Sequence, residues 1–390
     1  MRIAHVTLDG GFPRYGIGLA VLSLARAQAR LGHDVRVLVR AENAKAGALA
    51  ASDLGVVGLA RRRGLFGGRR GYRAQVRAAL PADVDVVHVH SLVRMADWLL
   101  ASRARRRAPL VVTAHASDEL GPAASPSGDA SPSRARRHAR QTRRVLARVD
   151  AVVVPSRFME GLVRTAGART AIHVIGHGPT DERPVARVSH AGFVVAALAR
   201  LVPVKGLDLL VDAFAAAFSD DPGARLVLAG EGPERGALEA RVARLKLAGR
   251  VEFPGYVEGD ARAELLGRSD VVAVPTRGEY ETFGLAALDG LAAGAYVLVA
   301  AGGALPERLD DDGAGLVVAD ETVAAWAAAL RRARADESGR ARAIARAASV
   351  FVENSWAASA RAHEEMYRGL GVGGRAYGGR SAPPGSEAPI

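Results

Sequence analysis

The chain has 390 residues, of which 49% are hydrophobic and only 5% aromatic, so we expect two α/β domains whose cores consist of alanine, valine and leucine. It contains no cysteine, which excludes a disulfide framework and a thiolate zinc site. The net charge of +12 is unevenly distributed, because residues 1–180 carry 29 lysines and arginines against 12 acidic residues, whereas residues 181–390 carry 24 against 29.

The basic first half predicts an anionic partner, either an acidic acceptor or an anionic membrane surface. A genome rich in G and C would give the same excess of arginine without any partner. We expect no nucleic acid, because the aromatic side chains that stack on bases are missing between the cations. Residues 1–8 lack the apolar core of a signal peptide, and no stretch of about 18 apolar residues occurs. The sequence therefore predicts a cytoplasmic protein, peripheral at the inner face of the membrane if it binds lipid at all.

Short apolar segments alternate with segments of helical periodicity in the first half. Between the first two apolar segments, Ala20, Leu24, Ala27 and Leu31 fall on one face of a helix. Six segments are predicted to be strands: Arg2–Thr7, Val35–Val39, Val84–His90, Leu110–His115, Ala151–Pro155 and Ala171–Ile175.

The pattern restarts after a polar stretch at residues 178–190. The second set of predicted strands is Phe193–Ala199, Arg225–Ala229, Val251–Phe253, Val271–Pro275, Tyr296–Ala300 and Gly315–Val318. Two series of βα units predict two doubly wound, Rossmann-like domains. We place them at residues 1–182 and 183–351.

Two segments are rich in proline, serine and glycine and poor in large apolar side chains, namely residues 121–133 and 371–390. Neither can bury enough surface to offset its ordering entropy. We expect a mobile loop or a lid at residues 121–133 and a disordered tail at residues 370–390.

Ligands bind outside the carboxyl ends of the strands in an open parallel sheet, so the residues after each strand are candidates for the site. A glycine-rich loop containing Gly16 follows the first strand and precedes a helix. Glycines and a helix N-terminus suit phosphate. The spacing is not GxGxxG, and a tight turn explains it equally well.

Two cations, Arg200 and Lys205, follow the first strand of the second half, and Lys205 is one of only three lysines in the chain. Five residues apart in a loop with a proline, they can turn toward one point and neutralise a diphosphate. A solvated pair of loop charges is the alternative.

The segment Pro275–Gly294 carries Glu281 in a loop after a strand, and Asp289 about two turns into the following helix. Two carboxylates at this spacing suit the recognition of hydroxyl groups. The alternative is one carboxylate favoured by the helix dipole and one ordinary helical aspartate. Backbone N–H groups at the start of the helix would face an anion or sugar hydroxyls, and they belong to Phe283, Gly284 and Leu285.

Together these stretches resemble family 4 of the retaining glycosyltransferases. The run Glu281-Thr-Phe-Gly-Leu-Ala-Ala-Leu-Asp289, with Arg200 and Lys205 upstream, carries the resemblance, which covers roughly residues 1–368. Further matching pieces are Leu31–Val35, Asp85–His90, Val112–His115, Asp150–Ser156, Leu228–Pro233, Val251–Val257 and Pro306–Glu307. The resemblance implies the GT-B fold, in which two Rossmann-like domains face a central cleft.

The family's activity implies transfer of a hexosyl group from a nucleoside diphosphate sugar to an acceptor hydroxyl, without a metal or a cofactor. A UDP-sugar or a GDP-sugar is the expected donor. The acceptor, whether a glycan, a lipid-linked molecule or a secondary metabolite, stays open.

The resemblance also implies roles for the site residues. Arg200 and Lys205 would clamp the diphosphate, Glu281 would bind hydroxyls of the transferred sugar, and Asp289 would hold the ribose. In the same way Gly16 would approach the diphosphate from the first domain, His115 would contact the sugar near the reacting centre, and the backbone at Tyr256 and Val257 would read the base. A last helix, at about residues 352–369, would cross back onto the first domain, with Trp356 as a packing anchor.

The chain departs from the family's pattern at two places. Asp289 stands where the family usually has glutamate, and His177-Gly178 stands where it usually has Asn-Gly. An aspartate shortens the reach to a ribose by about 1.5 Å.

The sequence allows three other interpretations of its function. His88 and His90 lie on one face of a strand and suggest a metal site together with His115, but no carboxylate stands at a matching spacing, so we expect none. A nucleotide-sugar epimerase with the same cleft, and an inactive donor-binding subunit of a transferase complex, stay open as alternatives.

Overall fold

The computed structural model describes residues 1–7, 16–40, 54–59, 75–76, 78–90, 96–97, 99–100, 108–120, 132–309 and 313–372. Most of the glycine-rich loop before Gly16, residues 121–131 of the predicted loop or lid, and residues 373–390 of the predicted tail lie outside these ranges. Residues 132 and 133, which we had assigned to the loop, begin a helix.

The first sheet has seven parallel strands in the order β3-β2-β1-β4-β5-β6-β7. Six of them were predicted. β3 was missed, because Gly55 and Gly58 interrupt its apolar pattern. The strands are β1 Arg2–Val6, β2 Asp34–Arg40, β3 Gly55–Leu59, β4 Val86–Val89, β5 Leu110–Thr113, β6 Ala151–Val154 and β7 Ala171–Val174.

The second sheet has six parallel strands in the order β10-β9-β8-β11-β12-β13. All six were predicted, within two residues at each end. They are β8 Phe193–Leu198, β9 Ala224–Ala229, β10 Val251–Gly255, β11 Val271–Val274, β12 Tyr296–Ala300 and β13 Gly315–Val318. The central strands β8, β11 and β12 are buried along their whole length, as expected for strands covered on both faces.

Helices cover both sheets. Their bounds are α1 Gly16–Arg30, α2 Pro132–Leu146, α3 Arg157–Thr165, α4 Leu207–Ala217, α5 Arg235–Arg244, α6 Gly259–Gly267, α7 Leu285–Ala292, α8 Val323–Ala335, α9 Glu337–Glu353 and α10 Trp356–Gly369. Short 3₁₀ turns lie at Ser117–Leu120, Pro203–Lys205 and Leu305–Arg308. None of the helices in the described ranges is long and apolar enough to span a bilayer.

The last helix, α10, packs on α1 of the first domain. Trp356 lies against Ala20, Leu24 and Ala27, three of the four residues predicted to share a face. Leu31 follows the last residue of α1 and is 37% exposed. At the other end of α10, Tyr367 enters the core of the first sheet. The C-terminal helix therefore fastens the second half of the chain to the first domain.

Candidate functional site

Two loops meet at the carboxyl edge of the second sheet, because β8 and β11 are neighbours there. Lys205 ends the 3₁₀ turn that follows β8, and Glu281 lies in the loop after β11. The Lys205 ammonium group donates a hydrogen bond to Glu281 Oε1, and the Thr276 hydroxyl donates to the same oxygen over 3.2 Å. Both charged side chains are mostly shielded from solvent, at 12% and 19% exposure. The structure thus brings two predicted site residues into direct contact.

Tyr280 joins the second cation to this pair. Arg200 Nη2 donates to the Tyr280 hydroxyl over 3.1 Å, and Lys205 Nζ lies 5.2 Å from the centre of the same ring. Arg200 itself is exposed. The two positive charges therefore flank one tyrosine at the edge of the sheet, an arrangement that suits a ligand with two adjacent anionic groups.

Two glycines hold the loops close together. Gly206 follows Lys205 with φ of +64°, and a Cβ there would lie 2.0 Å from the Pro275 carbonyl oxygen. Gly284 precedes α7 with φ of +87°. Side chains at these positions would force the loops apart or strain the backbone. The helix that the sequence predicts to begin near Phe283 begins at Leu285 in the structure, and Gly284 is its N-cap.

The first domain reaches this site through His115. The Thr282 hydroxyl donates to the His115 carbonyl oxygen over 2.6 Å, and the Ser156 hydroxyl donates to the Thr282 carbonyl oxygen over 2.7 Å. Since Thr282 follows Glu281 directly, His115 lies beside the Lys205–Glu281 pair. The predicted residues His115, Lys205, Glu281 and Phe283 therefore lie close together in the structure.

A second bridge between the domains lies at the N-terminus of α3. The Glu307 carboxylate accepts hydrogen bonds from the backbone N–H groups of Arg157 and Phe158, over 2.9 and 2.6 Å. A carboxylate at a helix N-terminus compensates its unpaired N–H groups and its dipole. One domain thus caps a helix of the other.

His177, which replaces the family's usual asparagine, lies in a row of rings. Its ring centre is 5.4 Å from that of His115, 4.9 Å from that of Phe283 and 5.6 Å from that of Trp356. Burial lowers the pKa of His177 well below its usual value, so the ring is neutral and acts here as a packing group. Trp356 also donates through Nε1 to the Pro179 carbonyl oxygen over 2.8 Å.

Asp289 has partners within the chain, and its contact with a ribose stays a prediction. It is 3% exposed, and its carboxylate accepts hydrogen bonds from the Thr180 backbone N–H over 2.6 Å and the Thr180 hydroxyl over 2.8 Å. Arg262 of α6 forms an ion pair with the same carboxylate. This aspartate therefore fastens the segment between the domains to α6. A ribose would have to compete with both partners.

The remaining predicted residues surround this edge. Tyr256 and Val257 follow β10, which lies two strands away from β8, and both are half-buried. Gly16 begins α1, at the carboxyl end of β1, with φ of +48° and open space where a Cβ would stand. Their contacts with a ligand stay predictions.

Three buried imidazoles, those of His5, His88 and His90, lie close enough together to hold a metal ion. Each ring nitrogen already faces a hydrogen-bonding partner at 2.6 to 3.0 Å. Burial lowers the pKa of His5 to about 4, so the ring is neutral at pH 7. A metal ion at this place would have to replace these hydrogen bonds, so our expectation that there is no metal site stays a prediction.

Several contributors were not found from the sequence. Thr276 and Tyr280 lie inside the loop that we singled out, but their partners are five and eighty residues away. His5 was visible as a lone polar residue within the apolar strand β1. Nothing in the sequence indicated that Arg262 contacts Asp289.

Two family profiles match the chain. The profile of "Glycosyltransferase Family 4" matches residues 15–183, and that of "Glycosyl transferases group 1" matches residues 179–350.

The curated relatives include proteins named "D-inositol 3-phosphate glycosyltransferase". That of Saccharomonospora viridis is 32% identical over 311 residues, which cover 74% of this chain and 70% of the relative. That of Jonesia denitrificans is 30% identical over 358 residues, which cover 82% and 83% of the two chains.

Among solved structures, HepE of Anabaena in complex with UDP superposes with a TM-score of 0.78 at 20% identity, covering 95% of this chain and 100% of its own. A sucrose-phosphate synthase from Thermosynechococcus elongatus gives a TM-score of 0.75 at 22% identity, covering 95% and 99% of the two chains.

Proposed function

The chain belongs to the group 1 glycosyltransferases and has the GT-B fold, and from this we propose that it transfers a sugar from a nucleoside diphosphate sugar to an acceptor hydroxyl, with retention of configuration and without a metal ion. The contact between Lys205 and Glu281 is the observation that carries the proposal. It joins the cation proposed to bind the diphosphate to the carboxylate proposed to bind the sugar, and the neighbouring Thr282 contacts His115 of the first domain.

Negative charge develops on the departing diphosphate during transfer, so fixed positive groups aimed at it lower the barrier. Arg200 and Lys205 supply two cations, and the backbone N–H groups of Phe283, Gly284 and Leu285 supply the N-terminus of α7. These groups take the role that a divalent cation would otherwise fill.

Glu281 is proposed to accept hydrogen bonds from hydroxyls of the transferred sugar. Its Oε1 is already engaged by Lys205 and Thr276, which fixes the orientation of the carboxylate before the donor binds. Such preorganisation avoids an ordering cost at the moment of reaction. His115 would meet the same sugar from the first domain.

The base and the ribose are proposed to lie along the edge toward β10, where Tyr256 and Val257 are half-buried. Gly16 would approach the diphosphate from the opposite sheet, since its missing side chain leaves the start of α1 open. Asp289 would touch the ribose only by sharing its partners Thr180 and Arg262.

A UDP-sugar is the first donor to test, because HepE has been solved with UDP and with UDP-glucose. A panel of UDP-, GDP-, ADP- and TDP-sugars should contain one that raises the melting temperature, because a ligand at 100 times its Kd stabilises the folded state by about 2.7 kcal/mol. The same donor should be consumed only when an acceptor is present. Conversion of the donor without an acceptor would identify an epimerase, and tight binding without turnover would identify an inactive subunit.

A phosphorylated polyol is the proposed class of acceptor. The curated relatives are named for D-inositol 3-phosphate, and α2 presents exposed arginines from the first domain, namely Arg136, Arg137, Arg140, Arg143 and Arg144. Transfer to D-inositol 3-phosphate but not to unphosphorylated inositol would support this class. Co-sedimentation with anionic vesicles at physiological salt would instead assign these cations to a membrane surface.

A further inference from the structure

One arm of a buried hydrogen-bond chain leads from the site into the first sheet. His115 Nε2 lies 3.0 Å from His90 Nδ1, and His90 Nε2 lies 2.8 Å from His5 Nδ1. His5 Nε2 in turn lies 2.6 Å from Gln28 Oε1 on α1. His5 and Gln28 are fully buried, and His115 is 7% exposed.

A second arm continues from the other end of the same amide. Gln28 Nε2 donates to the Tyr367 hydroxyl of α10 over 3.4 Å. The Tyr367 oxygen lies 2.6 Å from His88 Nδ1, and His88 Nε2 lies 2.6 Å from the Thr113 hydroxyl. Gln28 thus stands at the centre of one continuous chain.

The rings of the first arm are neutral, so each carries one proton. Burial lowers the pKa of His5 to about 4 and that of His115 to about 3, and it lowers the pKa of His90 well below its usual value. A neutral imidazole donates through one nitrogen and accepts through the other.

The amide of Gln28 then determines the direction of the whole arm. Its oxygen only accepts, so His5 must donate to it through Nε2 and keep Nδ1 bare. His90 must therefore donate through Nε2 to His5, and His115 must donate through Nε2 to His90. His115 is left with an unprotonated Nδ1, for which no described residue provides a hydrogen-bonding partner.

We propose that Gln28 is a positioning residue which sets the tautomer of His115 through His5 and His90, so that His115 offers Nδ1 to the donor sugar as a hydrogen-bond acceptor. The proposal rests on the proposed function, because it needs a sugar beside His115. The acceptor nitrogen takes the hydrogen of a sugar hydroxyl. The opposite tautomer would present an N–H group and could only donate.

A reversed amide at Gln28 would turn every hydrogen bond of the arm around without moving a ring, since its NH₂ group would then donate to His5 Nε2. The side chain at position 28, whose oxygen faces His5 Nε2 at 2.6 Å, is therefore the group that selects the direction of the arm. Three hydrogen bonds lie between Gln28 and His115. Gln28 therefore acts on the donor through His115 and does not touch it.

The test is the tautomer of His115, measured by two-bond ¹⁵N–¹H correlation in the full chain labelled with ¹⁵N-histidine. The signals of His115 are those missing from His115→Asn. We expect the Nε2–H tautomer in the wild type. In Gln28→Met, which keeps the length of the side chain but not its hydrogen bonds, we expect a mixture of tautomers. In Gln28→Glu the buried carboxyl group takes up a proton or passes it to His5, so that His5 donates through Nδ1 to His90 and the tautomer of His115 should reverse to Nδ1–H.

Thr113→Val is the matched control, because it removes one buried hydrogen bond from the second arm and leaves the first arm intact. Gln28→Met should lower kcat/KM for the donor about tenfold, the effect of one misplaced hydrogen bond. Gln28→Glu should lower kcat/KM at least as much, because the reversed arm leaves His115 with an N–H group at Nδ1.

Three results would overturn the proposal: an Nδ1–H tautomer of His115 in the wild type, an unchanged tautomer in Gln28→Met, or a stoichiometric metal ion in the purified chain. If Gln28→Met does not fold, the tautomer of His115 in the wild type and in Gln28→Glu still tests the proposal. The tautomer is measured without a donor, so absence of transfer by the wild type would refute the proposed function and leave this result standing.

Discussion

Lys205 and Glu281 are joined by a hydrogen bond across the carboxyl edge of the second sheet, although 76 residues separate them in the chain. Each limits the freedom of the other, and Thr276 limits that of Glu281 further. Under the proposed function, the ammonium group would be in place before a diphosphate enters and the carboxylate would be oriented before the sugar binds. The pair would then couple the two halves of a donor molecule.

Replacing Lys205 by alanine should lower kcat by about 10² to 10³, because a cation at the developing charge is worth a few kcal/mol in the transition state, and should lower the melting temperature, because the shielded Glu281 loses its counter-charge. Initial rates with a saturating donor and a thermal melt measure the two effects. Arg331→Ala removes an exposed cation from α8 of the same domain and should leave the rate unchanged. Wild-type turnover by Lys205→Ala would remove this residue from the mechanism.

The fold could be predicted because buried parallel strands form short apolar segments in the sequence. β3 could not, since Gly55 and Gly58 weaken the signal that identifies the other strands. The start of the helix after Glu281 was placed two residues too early. From the sequence, Gly284 could be a helical residue or the N-cap of the helix. Its positive φ in the structure shows that it is the N-cap.

The sequence predicted which residues lie together where the prediction depends on position after a strand, as for Arg200, Lys205 and Glu281. It did not do so where the prediction depends on a partner far along the chain. Thr180 binds Asp289 from 109 residues away, so the sequence could not show that this carboxylate was already engaged. The link between Gln28 and His115 runs through two strands and a helix in the same way.

Replacing Asp289 by asparagine should destabilise the fold by about 3 kcal/mol, because it leaves the buried Arg262 without its counter-charge. Arg262 is 14% and Asp289 2% exposed at the side chain. Urea unfolding gives the free energy directly. Asp260→Asn makes the same change in an exposed pair with Arg183, where Asp260 is 94% exposed, and should have no measurable effect. Equal effects of the two substitutions would show that Asp289 is hydrated.

The stability of the protein should fall as the pH falls from 7 to 5. Burial lowers the pKa of His5 and His363 to about 4 and that of His115 to about 3. The unfolded chain protonates these rings below about pH 6.5 and the folded chain does not, so the stability present above pH 6.5 is lost as the pH decreases. Each ring contributes less than 1 kcal/mol per pH unit near pH 6.5 and approaches about 1.4 kcal/mol per pH unit near pH 5.

Calorimetric unfolding at pH 5, in two buffers of different ionisation enthalpy, should detect the uptake of several protons, because burial also lowers the pKa of His88, His90 and His177 well below the usual value. The carboxylates of Asp208 and Asp336, whose pKa values lie below the usual range, do not titrate between pH 5 and 7 and so do not contribute. A melting temperature that is equal at pH 5 and pH 7 would mean that the rings are accessible to protons in the folded state.

Replacing Glu307 by glutamine should shift the two domains toward an open arrangement. The amide presents an NH₂ group where the carboxylate accepts two backbone N–H groups of α3, and the lost charge at a helix N-terminus is worth about 1 kcal/mol. Since closed domains exclude water from the reacting sugar, transfer should slow about fivefold, and small-angle scattering should report a larger radius of gyration. Glu160→Gln, which removes an acidic group from the first turn of α3 within its own domain, should change neither quantity. A radius and a rate unchanged in Glu307→Gln would show that the contacts of Ser156 and Thr282 hold the domains together without this cap.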